Sequence, residues 1–216
     1  MSDVHIILAA PKDSKMKPLI QPKGFIIGVD RGALIAVEEK IELDLALGDF
    51  DSVTESEYLA IKNHSNEIYS LPEEQEDTDA ELALLYILEN IVTDKVYLYN
   101  WNGGRIDHLY SLLMLVLQER FQPLIAKLRF VSRTNIISYY LPGEYKIREY
   151  KHMDYLSLIL LTAVENLSFR DVKYPLEEAN YELPKALISN EFLNKKEAFL
   201  SFEKGIIAVI QSQDRK

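Results

Sequence analysis

The 216-residue sequence contains no cysteine and is short of basic side chains. Without cysteine, disulfides, thiolate zinc sites and a cysteine nucleophile are excluded. Lys and Arg number 24 against 34 Asp and Glu, which gives a formal net charge of −10. A phosphate backbone would meet a repulsive average field, so we expect no nucleic-acid partner.

Long apolar runs and the common nucleotide motifs are also missing. No apolar stretch approaches the ~20 residues that span a bilayer, and the N-terminal run VHIILAA is followed at once by the polar PKDSK. We therefore expect a cytoplasmic protein without a membrane partner. The glycine patterns of P-loop and dinucleotide-binding proteins and the protein-kinase signatures are absent, so those folds match poorly.

The patterns that are present predict an α/β fold with two domains. Over residues 1–140, six short apolar runs alternate with segments that have helical spacing, which is typical of a Rossmann-like domain with a mostly parallel sheet. Over residues 141–216, short strand-like runs are separated by turn signals without a convincing helix. We predict that this second part is a smaller all-β sandwich.

Acidic side chains recur where predicted strands end. Asp30 follows GFIIGV, and Asp49 and Asp51 follow LDLALG. A third cluster, EEQEDTDAE at 73–81, contains six acids and no base. Acids in the first turn of a helix are favoured by its dipole, with Thr78 or Asp77 as N-cap, which explains this run on its own. Three such clusters at one sheet edge instead indicate a site for a hard cation such as Mg²⁺.

The stretch NGGRIDH at 102–108 supplies groups that bind anions. Two glycines allow a sharp turn, and the helix that follows offers free backbone amides. Arg105 can bind a phosphate through two parallel hydrogen bonds, and Asp107 and His108 follow on the same turn. The alternatives are an ordinary loop into a helix and a capping or core role for the histidine. Together with the acids, this stretch suggests phosphoryl-type transfer from Mg²⁺·ATP.

Four motifs in order resemble the thiamine pyrophosphokinase family: VDRGA (29–33), LGDFDSV (47–53), EDTDAELAL (76–84) and NGGRIDH (102–108). The resemblance implies transfer of pyrophosphate from ATP to the hydroxyethyl oxygen of thiamine, with Mg²⁺, to give thiamine diphosphate and AMP. It also implies a homodimer with thiamine at the subunit interface, between the N-terminal domain of one chain and the sandwich of the other.

The resemblance assigns site residues one by one. Metal and phosphate handling falls to Asp49, Asp51 and Asp79, and Arg105 and Asp107 join them in catalysis. Further positions on the ATP side are Asp30, Gln75, Thr78, Arg105 and His108. A carboxylate that is free of metal could take the proton from the alcohol, and both Asp51 and Asp107 are candidates.

The acceptor end departs from the usual family pattern. DVKYPL (171–176) and LISNEF (187–192) stand where G-L-K-W and S-T-S-N are usual. Ser189 and Asn190 match the second motif, and Tyr174 stands in place of the tryptophan. These three residues are expected on the thiamine side, although an aromatic at 174 could also fill the sandwich core.

Three other functions remain compatible with these residues. A pyrophosphokinase for another hydroxymethyl heterocycle, such as a pterin alcohol, would use the same phosphate apparatus with a different acceptor pocket. A sensor that binds a nucleotide or thiamine diphosphate would need no metal-directed aspartates. A Mg²⁺-dependent phosphoesterase would hydrolyse its substrate without an acceptor.

Overall fold

A computed structural model describes residues 3–11, 24–71, 76–193 and 197–214. The chain divides into two compact units, Met1–Arg133 and Thr134–Lys216. The boundary lies before the 140/141 position expected from the sequence, because the strand Asn135–Tyr140 pairs with Ile207–Ser212 inside the second unit. Within the described ranges, none of the helices combines the length and the apolar character that a membrane span requires.

The first unit is built on a parallel sheet. Its described strands are β1 (Asp3–Ile7), β2 (Gly24–Val29), β3 (Leu43–Gly48), β4 (Ser65–Ser70), β5 (Val96–Tyr99) and β6 (Leu128–Val131). They lie in the order β6-β5-β1-β2-β3-β4, and each neighbouring pair is parallel. The chain builds outward from β1 to β4 and then returns to place β5 on the other side of β1. All the strands therefore end at one edge of the sheet, where ligands bind in open α/β folds.

The composition of each strand matches its place in the sheet. The β5 sequence VYLY is buried at all four positions, and β3 is buried except at Asp44, as expected for strands covered on both faces. The edge strand β4, with sequence SNEIYS, is mostly exposed. Its polar residues suit an edge because they discourage pairing with another chain.

Four α-helices are described in the first unit: α1 (Arg31–Glu38), α2 (Glu55–Asn63), α3 (Asp79–Asn90) and α4 (Ile106–Met114). Both α2 and α3 begin with a capping box, in which a threonine and the glutamate three positions later satisfy each other's backbone amides. The N-termini of α1, α3 and α4 are close in sequence to the predicted site motifs. The start of each helix is thus fixed by local chemistry beside the sheet edge.

The apolar spacing over residues 105–121 predicts a single helix, and this prediction is wrong in its second half. After Met114 the chain forms a short 3-10 turn, and a 3-10 segment runs from Glu119 to Lys127. Gln118 is extended between the two, and Pro123 has no amide proton to donate inside the second segment. This break turns Gln118 and its neighbours toward α3.

The second unit contains only strands in its described part: β7 (Asn135–Tyr140), β8 (Gly143–Ile147), β9 (Tyr155–Leu160), β10 (Val164–Arg170), β11 (Leu176–Tyr181), β12 (Lys185–Asn190), β13 (Ala198–Phe202) and β14 (Ile207–Ser212). They form two antiparallel groups, β12-β9-β14-β7 and β11-β10-β13-β8. Side chains of both groups, such as Leu158 and Leu200, share one core. The second unit is therefore a sandwich, as expected, although the sequence pattern missed β7 and β11.

Candidate active site

A cleft of ≈ 450 Å³ opens in the first unit where the strands end. Its walls come from the loops after β1, β2, β3 and β5, from the start of α3, and from α4. The predicted site residues that line it are Asp30, Asp49, Thr78, Asp79, Arg105 and His108. Motifs that are far apart in the sequence thus meet in one concave site, because parallel strands deliver their carboxyl ends to the same edge.

Asp30, Asp49 and Asp51 form a group of three carboxylates at this edge. One oxygen of each lies within 4.8 Å of the other two. Like charges at this separation repel each other, and an oxygen-seeking divalent cation would reverse that repulsion. The sequence prediction named Asp79 rather than Asp30 as the third metal ligand. Asp79 lies outside this group of three and lines the cleft from the first turn of α3.

Phe50 explains how two neighbouring aspartates face the same site. Its ring is only 7% exposed and packs edge-to-face on Tyr58, with centroids 5.4 Å apart. Its backbone has φ 58°, a left-handed conformation that is uncommon for a bulky residue. The core therefore holds the aromatic ring, and the flanking Asp49 and Asp51 both belong to the group of three carboxylates, of which Asp49 also lines the cleft.

Asp30 is also held in an unusual backbone conformation, with φ 47° and ψ −126°. Such residues cost about 1–3 kcal/mol each and concentrate at functional sites. The backbone amide of Asp30 donates to Leu47 O at 2.8 Å, and the Ser52 hydroxyl donates to its carboxylate at 2.9 Å. Gly48 permits this arrangement, because a Cβ there would lie 3.0 Å from Asp30 Cα. The side chain of the neighbouring Arg31 donates to the backbone carbonyl of Ser52.

Thr78 and Asp79 form the start of α3. The Thr78 hydroxyl accepts from Glu81 N at 3.3 Å and donates to the Glu81 carboxylate at 2.9 Å. Since this hydroxyl is engaged in the capping box, Thr78 acts on the site mainly by fixing where α3 begins. Asp79 is the first residue of the helix, so its carboxylate belongs to the rigid end of an element rather than to a loose loop. Gln75, the remaining predicted residue of this region, lies outside the described residues.

Arg105 and Asp107 are bonded to each other. Arg105 Nε lies 3.1 Å from Asp107 Oδ1, and Nη2 lies 2.5 Å from Oδ2. The hydrogen bond from Arg105 is the largest cause that lowers the pKa of Asp107 to about 2. Both side chains are well exposed, and Arg105 and His108 line the cleft. Arg105 therefore reaches the cleft as a cation that Asp107 orients.

Sequence reasoning missed Asn100 and Trp101, which also line the cleft. Asn100 follows β5 with φ 52°, a conformation that asparagine tolerates better than most residues. Both side-chain amide atoms of Asn100 and the indole nitrogen of Trp101 are buried without a hydrogen-bond partner. Buried polar atoms of this kind are costly and mark sites where water or a ligand completes the structure. The adjoining NGGR motif was the available signal.

The three residues predicted on the thiamine side lie together in the second unit. The Asn190 amide is buried and is bonded to the backbone: Nδ2 donates to Tyr174 O, and Oδ1 accepts from the amides of Tyr174 and Glu191, each at 2.9 Å. Asn190 therefore shapes the Tyr174 turn. Tyr174 itself is 59% exposed and does not fill the sandwich core. Ser189 is exposed with φ 62°, in the stretch where the pairing of β12 with β9 shifts register.

Comparison with known proteins identifies the family. The model described as "Thiamin pyrophosphokinase, catalytic domain" matches residues 16–127, and "Thiamin pyrophosphokinase, vitamin B1 binding domain" matches residues 144–207. The thiamine pyrophosphokinase of Bacillus subtilis is 31% identical over 99% of this chain and 100% of its own length.

Solved structures agree with these matches. A crystal structure of a thiamin pyrophosphokinase family protein from Enterococcus faecalis has 33% identity and a TM-score of 0.89, with 100% of both chains covered. The Bacillus subtilis crystal structure has 29% identity and a TM-score of 0.86, covering 99% of this chain and 100% of that one. The sequence matches and the shared fold show that this chain belongs to the thiamin pyrophosphokinase family.

Proposed function

We propose that the cleft of the first unit transfers the pyrophosphoryl group of Mg²⁺·ATP to the hydroxyethyl oxygen of thiamine, giving thiamine diphosphate and AMP. The observation that carries this assignment is the convergence of Asp30, Asp49 and Asp51 beside a cleft that Asp79 and Arg105 also line. Carboxylates facing an arginine across a concave site are the groups needed to neutralise and align a polyphosphate.

The donor set fits Mg²⁺. We assign Asp49 and Asp51 as its ligands, with Asp30 beside them and Asp79 on the α3 wall. All four offer hard oxygen atoms, which this ion prefers along with water and substrate phosphates. When bound, the ion would neutralise phosphate charge and help to orient the transferred group.

The protein side chains then perform alignment and proton transfer. Arg105 binds the moving phosphates, after exchanging some of its bonds to Asp107 for phosphate oxygens. Asp51 accepts the proton of the thiamine hydroxyl through its second carboxylate oxygen, the one that does not bind the ion. Asp107 is a poor candidate base, because a carboxyl with a pKa of about 2 takes up a proton poorly at neutral pH.

Thiamine binding is assigned to the second unit, working in a homodimer. The vitamin B1 binding model covers residues 144–207, which include Tyr174 and Ser189. The exposed Tyr174 ring can stack on a cationic heterocycle. Nearby in the sequence, Leu183 and Ile188 are 76% and 67% exposed. Apolar side chains this exposed are suited to cover by a second subunit.

The product of the reaction tests this function. Purified protein incubated with Mg²⁺, ATP and thiamine should release AMP and thiamine diphosphate in equal amounts. ADP as the nucleotide product, or turnover with a pterin alcohol but not with thiamine, would contradict the proposal. Phosphate release without an acceptor would indicate a phosphoesterase. Binding without turnover would indicate a sensor.

A further inference from the structure

Arg120 ties the 3-10 segment Glu119–Lys127 to the acidic wall of the cleft. Its Nη1 and Nη2 donate to the two oxygens of Asp77 at 2.7 and 2.6 Å, and Nη2 also lies 3.1 Å from Glu81 Oε1. Its Nε donates to Gln118 Oε1 at 2.7 Å. All three guanidinium nitrogens are thus bonded to protein, so in this arrangement Arg120 acts on neighbouring side chains rather than on a phosphate.

Glu81 extends this ion pair to the start of α3. Its Oε2 accepts from the Thr78 amide and hydroxyl at 3.0 and 2.9 Å, and its Oε1 accepts from Gln118 at 2.6 Å. Burial alone would raise the pKa of Glu81, but the hydrogen bonds from Gln118 and Thr78 outweigh burial and lower it. Glu81 is therefore a buried carboxylate that is bonded on both sides, and it leaves the start of α3 little freedom to shift.

The capping box of α2 shows what is special about α3. There Glu57 is bonded to Thr54 in the same reciprocal way. In the described part of the chain, no arginine or glutamine side chain is hydrogen-bonded to Glu57. The α3 box has both, and its helix begins with Asp79. The start of α2 is capped without a hydrogen bond from an arginine, although Arg31 acts on Glu57 through its charge. The direct bonds from Arg120 and Gln118 to Glu81 are therefore additional to the capping box.

We propose that Arg120 is a positioning residue, which holds the Asp77–Asp79 segment so that Asp79 points into the cleft in a fixed orientation. The ring of Phe121, which is fully buried, supports the guanidinium from below at 4.8 Å. Asp77, Thr78 and Asp79 all line the cleft, so a shift of this segment would move a carboxylate at the site. The inference rests on the role in metal and phosphate binding proposed above for Asp79.

The test compares Arg120→Gln with Arg129→Gln. Arg129 lies in β6 and donates to the backbone carbonyls of Ala126 and Leu128 at 3.0 and 2.7 Å, so it controls for the loss of a structural arginine. AMP formation is measured against Mg²⁺, ATP and thiamine in turn. For Arg120→Gln we expect kcat to fall about 10–100-fold, the usual effect of removing a group that orients a ligand. Half-saturation by Mg²⁺ should shift upward, while the KM for thiamine stays within about twofold of wild type.

Arg120→Lys should recover part of the loss, because a lysine can pair with one carboxylate but cannot bond Asp77 through both oxygens. Wild-type kcat and Mg²⁺ dependence in Arg120→Gln would overturn the proposal, as would an equal loss in Arg129→Gln. If Arg120→Gln does not fold, Asp77→Asn replaces it, with the same expected phenotype and the same overturning result.

Asp79→Asn separates this inference from the proposed function. If Asp79→Asn has wild-type turnover, the assigned role of Asp79 is wrong. Arg120 then has no functional carboxylate to position, and the proposal for Arg120 is wrong as well. If Asp79→Asn loses turnover but Arg120→Gln does not, only the positioning role is wrong. Loss in both variants, with a Mg²⁺ shift in Arg120→Gln, supports both.

Discussion

The Ser52 hydroxyl donates to both carboxylate oxygens of Asp30, at 3.1 and 2.9 Å, and so joins the loop after β3 to the loop after β2. This bond holds Asp30 beside Asp49 and Asp51. We predict that Ser52→Ala lowers kcat/KM for ATP by about tenfold while stability falls by about 1 kcal/mol, the scale of one hydrogen bond.

Ser65→Ala is the control for this change. Ser65 lies at the start of β4, away from the site motifs, and donates to Ile61 O at 2.8 Å. Its loss should reduce stability by a similar amount without changing kcat/KM. Equal kinetic effects in the two variants, measured by AMP release and thermal unfolding, would show that the Ser52 bond is only structural.

The pairing of Arg105 with Asp107 predicts how turnover depends on pH. A folded-state pKa of about 2 lies below the ordinary value of 3.8. The stabilisation from this pair is therefore present above pH 3.8 and is lost as the pH falls toward 2. Because Asp107 stays ionised at any working pH, Asp107→Asn should leave the acid limb of the kcat profile in place.

Substitution of the two candidate bases should lower kcat by different factors. Asp51→Asn is expected to lower kcat by about 10²–10⁴-fold, the usual scale for a lost general base. Asp107→Asn should cost less than about tenfold, because it frees Arg105 without removing the proton acceptor. A larger loss in Asp107→Asn, or a changed acid limb in that variant, would contradict the assignment of Asp51.

Two glycines of the first unit should respond very differently to alanine. A Cβ at Gly32 would lie 2.1 Å from Ile7 O, whereas one at Gly103 would have nothing within 4 Å. Gly32→Ala should therefore push α1 away from β1 and cost more than about 3 kcal/mol, in the severe range for point mutants. Gly103→Ala should lower the free energy of unfolding by only about 1–2 kcal/mol, because the backbone at this position has φ 91° and alanine is strained there. Urea unfolding of both variants measures this difference, and similar losses would contradict it.

Asn190 and Tyr174 allow stability and acceptor binding to be separated. Asn190→Ala leaves backbone groups of Tyr174 and Glu191 without partners and should cost about 1–3 kcal/mol. Tyr174→Ala removes an exposed ring, so the free energy of unfolding should change by less than about 0.5 kcal/mol. If Tyr174 contacts thiamine, the KM for thiamine rises in Tyr174→Ala while the KM for ATP does not. An unchanged KM for thiamine would contradict the assigned role.

Much of the first unit could be predicted from the sequence, since each central strand is a nearly continuous apolar run that ends in a polar motif. The period of those runs and their alternation with helices are local signals. The end of α4 at Met114 could not be predicted in this way, because the apolar spacing continues to residue 121. The break at Gln118 accompanies side-chain bonds to Glu81, a contact between residues that are distant in the chain.

The candidate site was predicted in part for the same reason. Asp49 and Asp51 are recognisable because they are adjacent to a strand end, and Asp30 is recognisable in the same way. The three grouped carboxylates include Asp30 and not Asp79. This depends on the hydrogen bond from Ser52 to Asp30 and on where α3 begins, and the spacing of residues in the sequence shows neither. Asn100 and Arg120 entered only with the structure, because their roles depend on burial and on partners far away in the sequence.

The most direct test of the account is to locate the bound cation. Crystals grown with Mn²⁺ in place of Mg²⁺, and with a non-hydrolysable ATP analogue and thiamine, would show the ion by its anomalous scattering. We predict a peak at the carboxylates of Asp49 and Asp51, with Asp79 on the side of the ion and Arg105 bonded to the phosphates. Phosphates bound in the cleft with no metal peak near Asp49, or a metal peak elsewhere in the chain, would contradict the central claim.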